Sequence, residues 1–207
     1  MEIFKMKLNH ILSELNINEA DILNVYPYGS RVYGTQREDS DYDFIIVYKS
    51  SMLPDGSFRS NAISSQDKNV QAICYGRGGF IDSINNYYMP ALESLSTMPL
   101  KKKLSFQMSK YYEKEMIKKV ITQASNSWFL ADKLWEIHEA PGMMDRMKKG
   151  IWHSIRILKF GLQIKGHQEI VDFQAANEDL ETFMTDEDFS PRKYLEFRDS
   201  LMLEFKK

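Results

Sequence analysis

Tyr28-Gly29-Ser30-Arg31-Val32-Tyr33-Gly34-Thr35, followed shortly by Asp39-Ser40-Asp41-Tyr42-Asp43-Phe44, is the stretch on which the reading of this chain turns. The residues before it, Ile22–Tyr28, are apolar and β-favouring and stop at Gly29-Ser30. The residues after it, Phe44-Ile45-Ile46-Val47-Tyr48, are β-branched and aromatic with no polar break, as a buried strand is. The stretch therefore reads as a strand end, a small-residue turn and the mouth of a second strand. Small residues at a strand end let the backbone approach a ligand closely and leave amides free for an anion. Asp41 and Asp43 stand at i and i+2, so on a strand their carboxylates share a face. Two carboxylates on one face, beside an anion-cradling turn, make a site for Mg²⁺ bridging nucleotide phosphates. An Asp-x-Asp in a loop is most often merely solvated, and Gly-Ser occurs everywhere; it is their combination at this spacing that carries weight.

Outward from this stretch the chain divides in two. Residues 2–15 have helical spacing through Phe4, Leu8, Ile11 and Leu12. Residues 50–69 are polar, with Pro54-Asp55-Gly56 marking a turn. Val70–Tyr75 reads as a third strand, then Gly76-Arg77-Gly78-Gly79 leads into a helix from about Phe80 to Tyr88. Pro90 interrupts, and Ala91–Leu95 continues as a short helix. From residue 104 the pattern is almost wholly helical, broken at Pro141-Gly142. The expected organisation is an α/β core over 1–99 and a helical region over 100–207 packed on it.

Composition excludes several classes. The 207 residues are 43% hydrophobic, 13% aromatic and 27% charged, too apolar and too balanced in charge for a disordered chain. No apolar run approaches the ~18–20 residues of a membrane span, and Met1-Glu2-Ile3-Phe4-Lys5 is not a signal peptide. Cys74, the single cysteine, permits no intramolecular disulfide, which points to a reducing cytoplasm. In mid-strand it reads as a buried small hydrophobe. His10 and His138 lack Cys or His neighbours at ligand spacing, which argues against zinc.

The net charge of −2 conceals a segregation. Residues 1–99 hold 8 basic and 12 acidic side chains, residues 100–167 hold 14 and 6, and residues 168–207 hold 5 and 11. The middle segment can offer a positive face to phosphates, and equally its lysines can be plain solvated surface.

The residues quoted at the outset also carry a resemblance. Gly29-Ser30 with Asp41-Tyr42-Asp43 is similar to the Gly-Ser … Asp-x-Asp signature of the DNA polymerase β-like nucleotidyltransferase superfamily. More narrowly, the string looks like that of nucleotidyltransferases assigned by sequence in many bacteria and phages. Met89-Pro90-Ala91-Leu92-Glu93-Ser94-Leu95 is similar to that group's Asn-Pro-x-x-x-Glu-x-Leu element. Lys149-x-x-x-His153-x-x-Arg156-Ile157-Leu158, closed by Gly166, resembles its later Lys/His/Arg helix. The resemblance implies an α+β fold, a small polymerase β-like mixed sheet with flanking helices followed by a helical C-terminal region. It also implies transfer of a nucleoside monophosphate from an NTP such as ATP, with Mg²⁺ or Mn²⁺, to a hydroxyl on RNA, a protein side chain or a small molecule. Asp41 and Asp43 would be the catalytic, metal-holding residues. Gly29, Ser30 and Arg31 would meet the triphosphate, although Arg31 can equally pair with Asp39.

One departure stands out. The superfamily places a third acid on a following strand, and here that position falls on Gln71 or Ala72. Asp67 and Asp82 flank the strand, either as substitutes or as surface residues. The alternative is a nucleotide- or RNA-binding protein that keeps the fold without the third carboxylate, and a further one is the antitoxin-like half of a toxin pair. Over residues 147–165, Met147, Ile151, Ile155, Leu158 and Leu162 fall within a sector of ~80° and read as core. Lys149, His153, Arg156 and Phe160 fall within about 60° on the opposite side, bordered by Trp152, Ile157 and Ile164. A covered cationic stripe needs an anion. That anion is a triphosphate or nucleic acid, or else Asp179 or Glu181 of the acidic tail. Arg146 and His153 also fit, loosely, the Arg-x(4–6)-His spacing of metal-independent helical RNases, a permissive pattern.

Overall fold

The computed structural model describes residues 6–57 and 60–207. Contacts divide the chain into two compact units, one ending at Lys110 and one beginning at Tyr111. No described helix is long and apolar enough to cross a membrane.

The first unit is built on a mixed five-stranded sheet of order β3-β4-β2-β1-β5. Its strands are β1 (Ile22–Tyr28), β2 (Tyr42–Tyr48), β3 (Ser60–Ser64), β4 (Val70–Gly76) and β5 (Lys101–Lys102). β2 runs parallel to β4, and every other pairing is antiparallel. β2 lies mid-sheet, which is why Phe44 to Tyr48 is buried without alternation. The edge strand β3 alternates between exposed and half-buried residues.

Each sheet face is covered. On one, Ile22, Val25, Phe44, Ile46, Val70, Ala72 and Cys74 pack with Ile11 and Leu12 of α1 (Leu8–Glu14). The helix expected over 2–15 is seen here from Leu8, and residues 2–5 lie outside the described residues. On the other, Phe80 stacks on Tyr26 at 5.9 Å and meets Tyr75 edge-on at 5.4 Å. Phe80 belongs to α3 (Arg77–Asn85), which starts three residues earlier than its apolar pattern suggests. A β-carbon at Gly76, just before it, would lie 2.2 Å from the Ser51 carbonyl oxygen, so the glycine permits that crossing. Pro90 does not interrupt a helix; it sits in the first turn of α4 (Met89–Ser96), where its missing N–H costs nothing.

Residues 104–112, expected to be helical, are not; β5 and the segment after it close the sheet instead. Asn24 explains how. Fully buried at a register shift in β1, its Oδ1 accepts from the Lys103 and Leu104 amides at 3.0 and 3.1 Å. Its Nδ2 donates to the Leu104 carbonyl at 2.7 Å and to the Tyr26 hydroxyl.

In the second unit, α5 (Glu113–Asp132) lies along α6 (Met143–His167), followed by α7 (Asn177–Thr185) and α8 (Leu195–Lys206). α6 is buried nearly all round. Met147, Ile151, Ile155 and Leu158 form the expected stripe, while Trp152, Ile157 and Phe160 bury the other side. Ser154 donates to the Ala124 carbonyl at 2.7 Å and Trp152 Nε1 to the Ala176 carbonyl at 2.7 Å, fixing α6 to its neighbours.

Asn24→Ala is expected to lower the unfolding free energy by about 3 kcal/mol in urea titrations, because it strands buried amides at about 1–3 kcal/mol each. A loss below about 1 kcal/mol would mean that water replaces the side chain.

Candidate active site

The sheet register brings the sequence-predicted residues of the first unit together. Tyr28, the last residue of β1, pairs with Asp43 near the start of β2, and Asp43 pairs with Gln71 on β4. Gly29 follows with φ +78, and a β-carbon there would lie 2.0 Å from Asp43 Oδ2. No other residue fits: the backbone conformation disfavours a side chain and the carboxylate occupies its space.

After Gly29 the chain forms one short helix, α2 (Ser30–Tyr33). The Val32 and Tyr33 amides donate to the Gly29 carbonyl at 2.9 and 3.2 Å, and Thr35 donates to the Ser30 carbonyl at 3.0 Å. The first N–H groups of a helix have no intrahelical acceptor. Ser30 Oγ is buried and has no hydrogen-bond partner among the described residues. The Gly29–Ser30 turn thus lies directly against Asp43, with the unpartnered Ser30 hydroxyl on the turn and the Asp43 carboxylate on the facing strand.

Arg31 turns onto the chain. Its Nε donates to the Asp41 carbonyl at 3.2 Å, its Nη2 to the Ser40 carbonyl at 2.6 Å, and its guanidinium lies 3.8 Å over the Tyr42 ring. It clamps the backbone that presents both carboxylates, a role the sequence did not reveal. Tyr42 beside two acids was the available signal. Arg31 also reaches an open cleft of about 470 Å³ lined by His10, Glu14, Glu38, Asp39 and Asp67.

Gln71, not Ala72, faces the carboxylates. Its Nε2 donates to Asp41 Oδ2, while Ala72 points into the core. Asp67 instead caps the turn before β4, accepting from Ser65 Oγ at 2.6 Å and the Asn69 amide at 3.0 Å, and Asp82 is exposed on α3. Among the described residues, no three His, Cys, Asp or Glu gather as metal ligands.

Burial, with the neighbouring Asp41 charge adding to it, pushes the Asp43 carboxyl up to about 6, and Arg31 opposes the shift. Two carboxylates in one partly dry site strain against each other, and a bound cation relieves both. Oxygen donors of this kind suit Mg²⁺ or Mn²⁺, and the Gln71 carboxamide has an oxygen that a flip would offer. The residues present fit such an ion.

Lys149, His153 and Arg156 lie on α6 in the second unit. Lys149 is exposed, whereas Arg156 is 2% exposed. Arg156 donates to His153 Nδ1 at 2.8 Å, with its guanidinium 5.2 Å from Trp152 and 5.6 Å from Phe160. Burial first, and the Arg156 charge second, hold His153 down at about 3, so it is neutral at physiological pH. Asp179 pairs with Lys159 at 2.6 Å.

A family model described as a nucleotidyltransferase domain matches residues 5–120. No curated protein matches the sequence. Among solved structures, a nucleotidyltransferase-like protein from Exiguobacterium sibiricum 255-15 is similar, at 9% identity over 90% of this chain and 69% of that one. The TM-score between the two is 0.33.

The Asp43 shift sets a pH dependence. A carboxyl held at about 6, against an ordinary 3.8, keeps its proton longer in the folded state. Its contribution is therefore complete below about pH 4 and lost as pH rises through 6. Asp43→Asn should melt above the wild type at pH 7.5 in chelator, with the gap closing toward pH 4. An unchanged gap across that range would contradict the electrostatics.

Proposed function

The chain belongs to the nucleotidyltransferase domain family, within the DNA polymerase β-like superfamily, and from this we propose that it moves a nucleoside monophosphate from an NTP to a hydroxyl acceptor. In that reaction the acceptor oxygen forms a bond to the α-phosphorus. The α–β phosphoanhydride breaks, pyrophosphate leaves, and the hydroxyl proton passes to solvent or a nearby base. The observation that carries the reading is the close approach of Gly29 to Asp43, which sets a donor-rich turn against paired carboxylates.

Each residue then has a task. Ser30 Oγ and the free amides at the start of α2 receive phosphate oxygens, and Gly29 lets the turn come up against Asp43. Asp41 and Asp43 would hold Mg²⁺ or Mn²⁺. When bound, that ion neutralises the triphosphate and the charge that develops during transfer. Arg31 keeps both carboxylates in place through its grip on Ser40 and Asp41. Gln71 orients Asp41 but cannot accept the hydroxyl proton as a carboxylate would. On the second unit, we assign Lys149 as the exposed phosphate contact, with Arg156, bonded to His153, stiffening α6 behind it. The excess of cations over residues 100–167 favours RNA among the acceptors, ahead of a protein side chain or small molecule.

A second reading, nucleotide binding without turnover, has one specific observation in its favour. Gln71 stands in register with Asp43 where the superfamily places its third acid.

Purified protein with Mn²⁺ or Mg²⁺ and each NTP labelled at the α-phosphate, offered bulk RNA and lysate proteins, should transfer label. Binding without transfer would favour the second reading. Asp41→Asn with Asp43→Asn is expected to weaken metal-dependent NTP binding by more than about 100-fold, and unchanged binding would refute the site. Gln71→Asp should raise turnover if the missing acid limits the native chain, and no change would show that it does not.

A further inference from the structure

α2 is four residues long, yet it carries Ser30, directly after the Gly29 that lies against Asp43. Helices far below about 12 residues do not hold themselves in place. Something outside the helix must fix its rotation.

Tyr33, its last residue, is 3% exposed, and its hydroxyl donates to Glu93 Oε2 at 2.5 Å. The Tyr33 ring also meets Tyr28, at the end of β1, edge-on with centroids 6.1 Å apart. Glu93 lies 60 residues further along, on α4, and is 1% exposed. Its neighbours Met89, Ala91 and Leu92 are buried and apolar. A carboxyl placed there is costly unless hydrogen-bonded. Leu or Gln would satisfy the packing of α4 at lower cost, so packing alone does not explain an acid at this position.

Residues i and i+3 lie on one side of a helix, so the azimuth of Tyr33 sets that of Ser30. α4 packs on both β1 and β2, the strands that end and begin at the site. We infer that the Tyr33–Glu93 hydrogen bond is a positioning device for the triphosphate: it locks α2 against the sheet so that Ser30 and the first-turn amides meet the phosphates in register. The inference rests on the function proposed above. It assigns Glu93 and Tyr33 as positioning residues, acting through α2 rather than on substrate.

The test is the dissociation constant for ATP with Mn²⁺, read by calorimetry on the full chain, beside the melting temperature. Tyr33→Phe removes one oxygen and keeps the ring. It should weaken Mn²⁺–ATP binding about 10-fold and also lower the melting temperature by several degrees, because buried Glu93 loses that donor. Glu93→Ala should weaken it at least as much. Glu93→Gln retains an oxygen acceptor for the Tyr33 hydroxyl and should restore most of the affinity. A merely structural role predicts lower melting temperatures at unaltered affinity, and that result for Tyr33→Phe would overturn the inference while leaving the proposed function intact. Wild-type protein that binds none of the four NTPs would overturn both.

Discussion

A β-carbon at residue 29 would collide with Asp43. That one constraint orders the site. It holds the end of β1 against the start of β2, so that the turn after one strand and the carboxylates of the next share a space. The antiparallel pairing of Tyr28 with Asp43 extends it into the sheet, and the parallel pairing of Asp43 with Gln71 carries it to the third strand. Arg31 closes the arrangement from outside by bonding the carbonyls just ahead of Tyr42 and covering its ring.

The electrostatics follow from the same crowding. Asp41 and Asp43 stand close enough in a partly dry site that Asp43 holds its proton far more tightly than usual. Gln71 offers an N–H to Asp41 where a third acid would deepen the repulsion. The exchange lowers the negative charge of the site by one relative to a three-acid arrangement. It favours retention of a stable, metal-free fold, and it removes a proton acceptor. On α6 the opposite chemistry obeys the same rule: burial, with the Arg156 charge beside it, keeps His153 neutral.

Much of this was legible in the sequence, for reasons tied to particular residues. Ile22–Tyr28 and Phe44–Tyr48 are strand-like because they are central and covered on both faces; Asp43 lies in β2, whereas Asp41 stands one residue before it, outside the strand whose periodicity suggested a shared face. Gln71 could be placed only to within one residue, since a single sequence does not fix register and a slip of one turns every side chain over. β3 and β5 were not legible: β3 is a short, half-exposed edge strand, and β5 is two lysines paired through backbone and held by the buried amide of Asn24. Nor were Arg31's grip on the Asp41 loop and the Tyr33–Glu93 bond, because both join residues brought together by tertiary packing rather than by spacing.

On this reading the Gly29–Ser30 turn and the Asp41–Asp43 pair together receive a metal-bound triphosphate. A crystal structure of the protein with Mn²⁺ and a non-hydrolysable NTP, with anomalous density recorded for manganese, tests it most directly. Manganese is expected on Asp41 and Asp43, and phosphate oxygens on Ser30 and the free amides at the start of α2. Manganese or triphosphate seated instead in the cleft lined by His10, Glu38 and Asp67, with the carboxylate pair left bare, would contradict it.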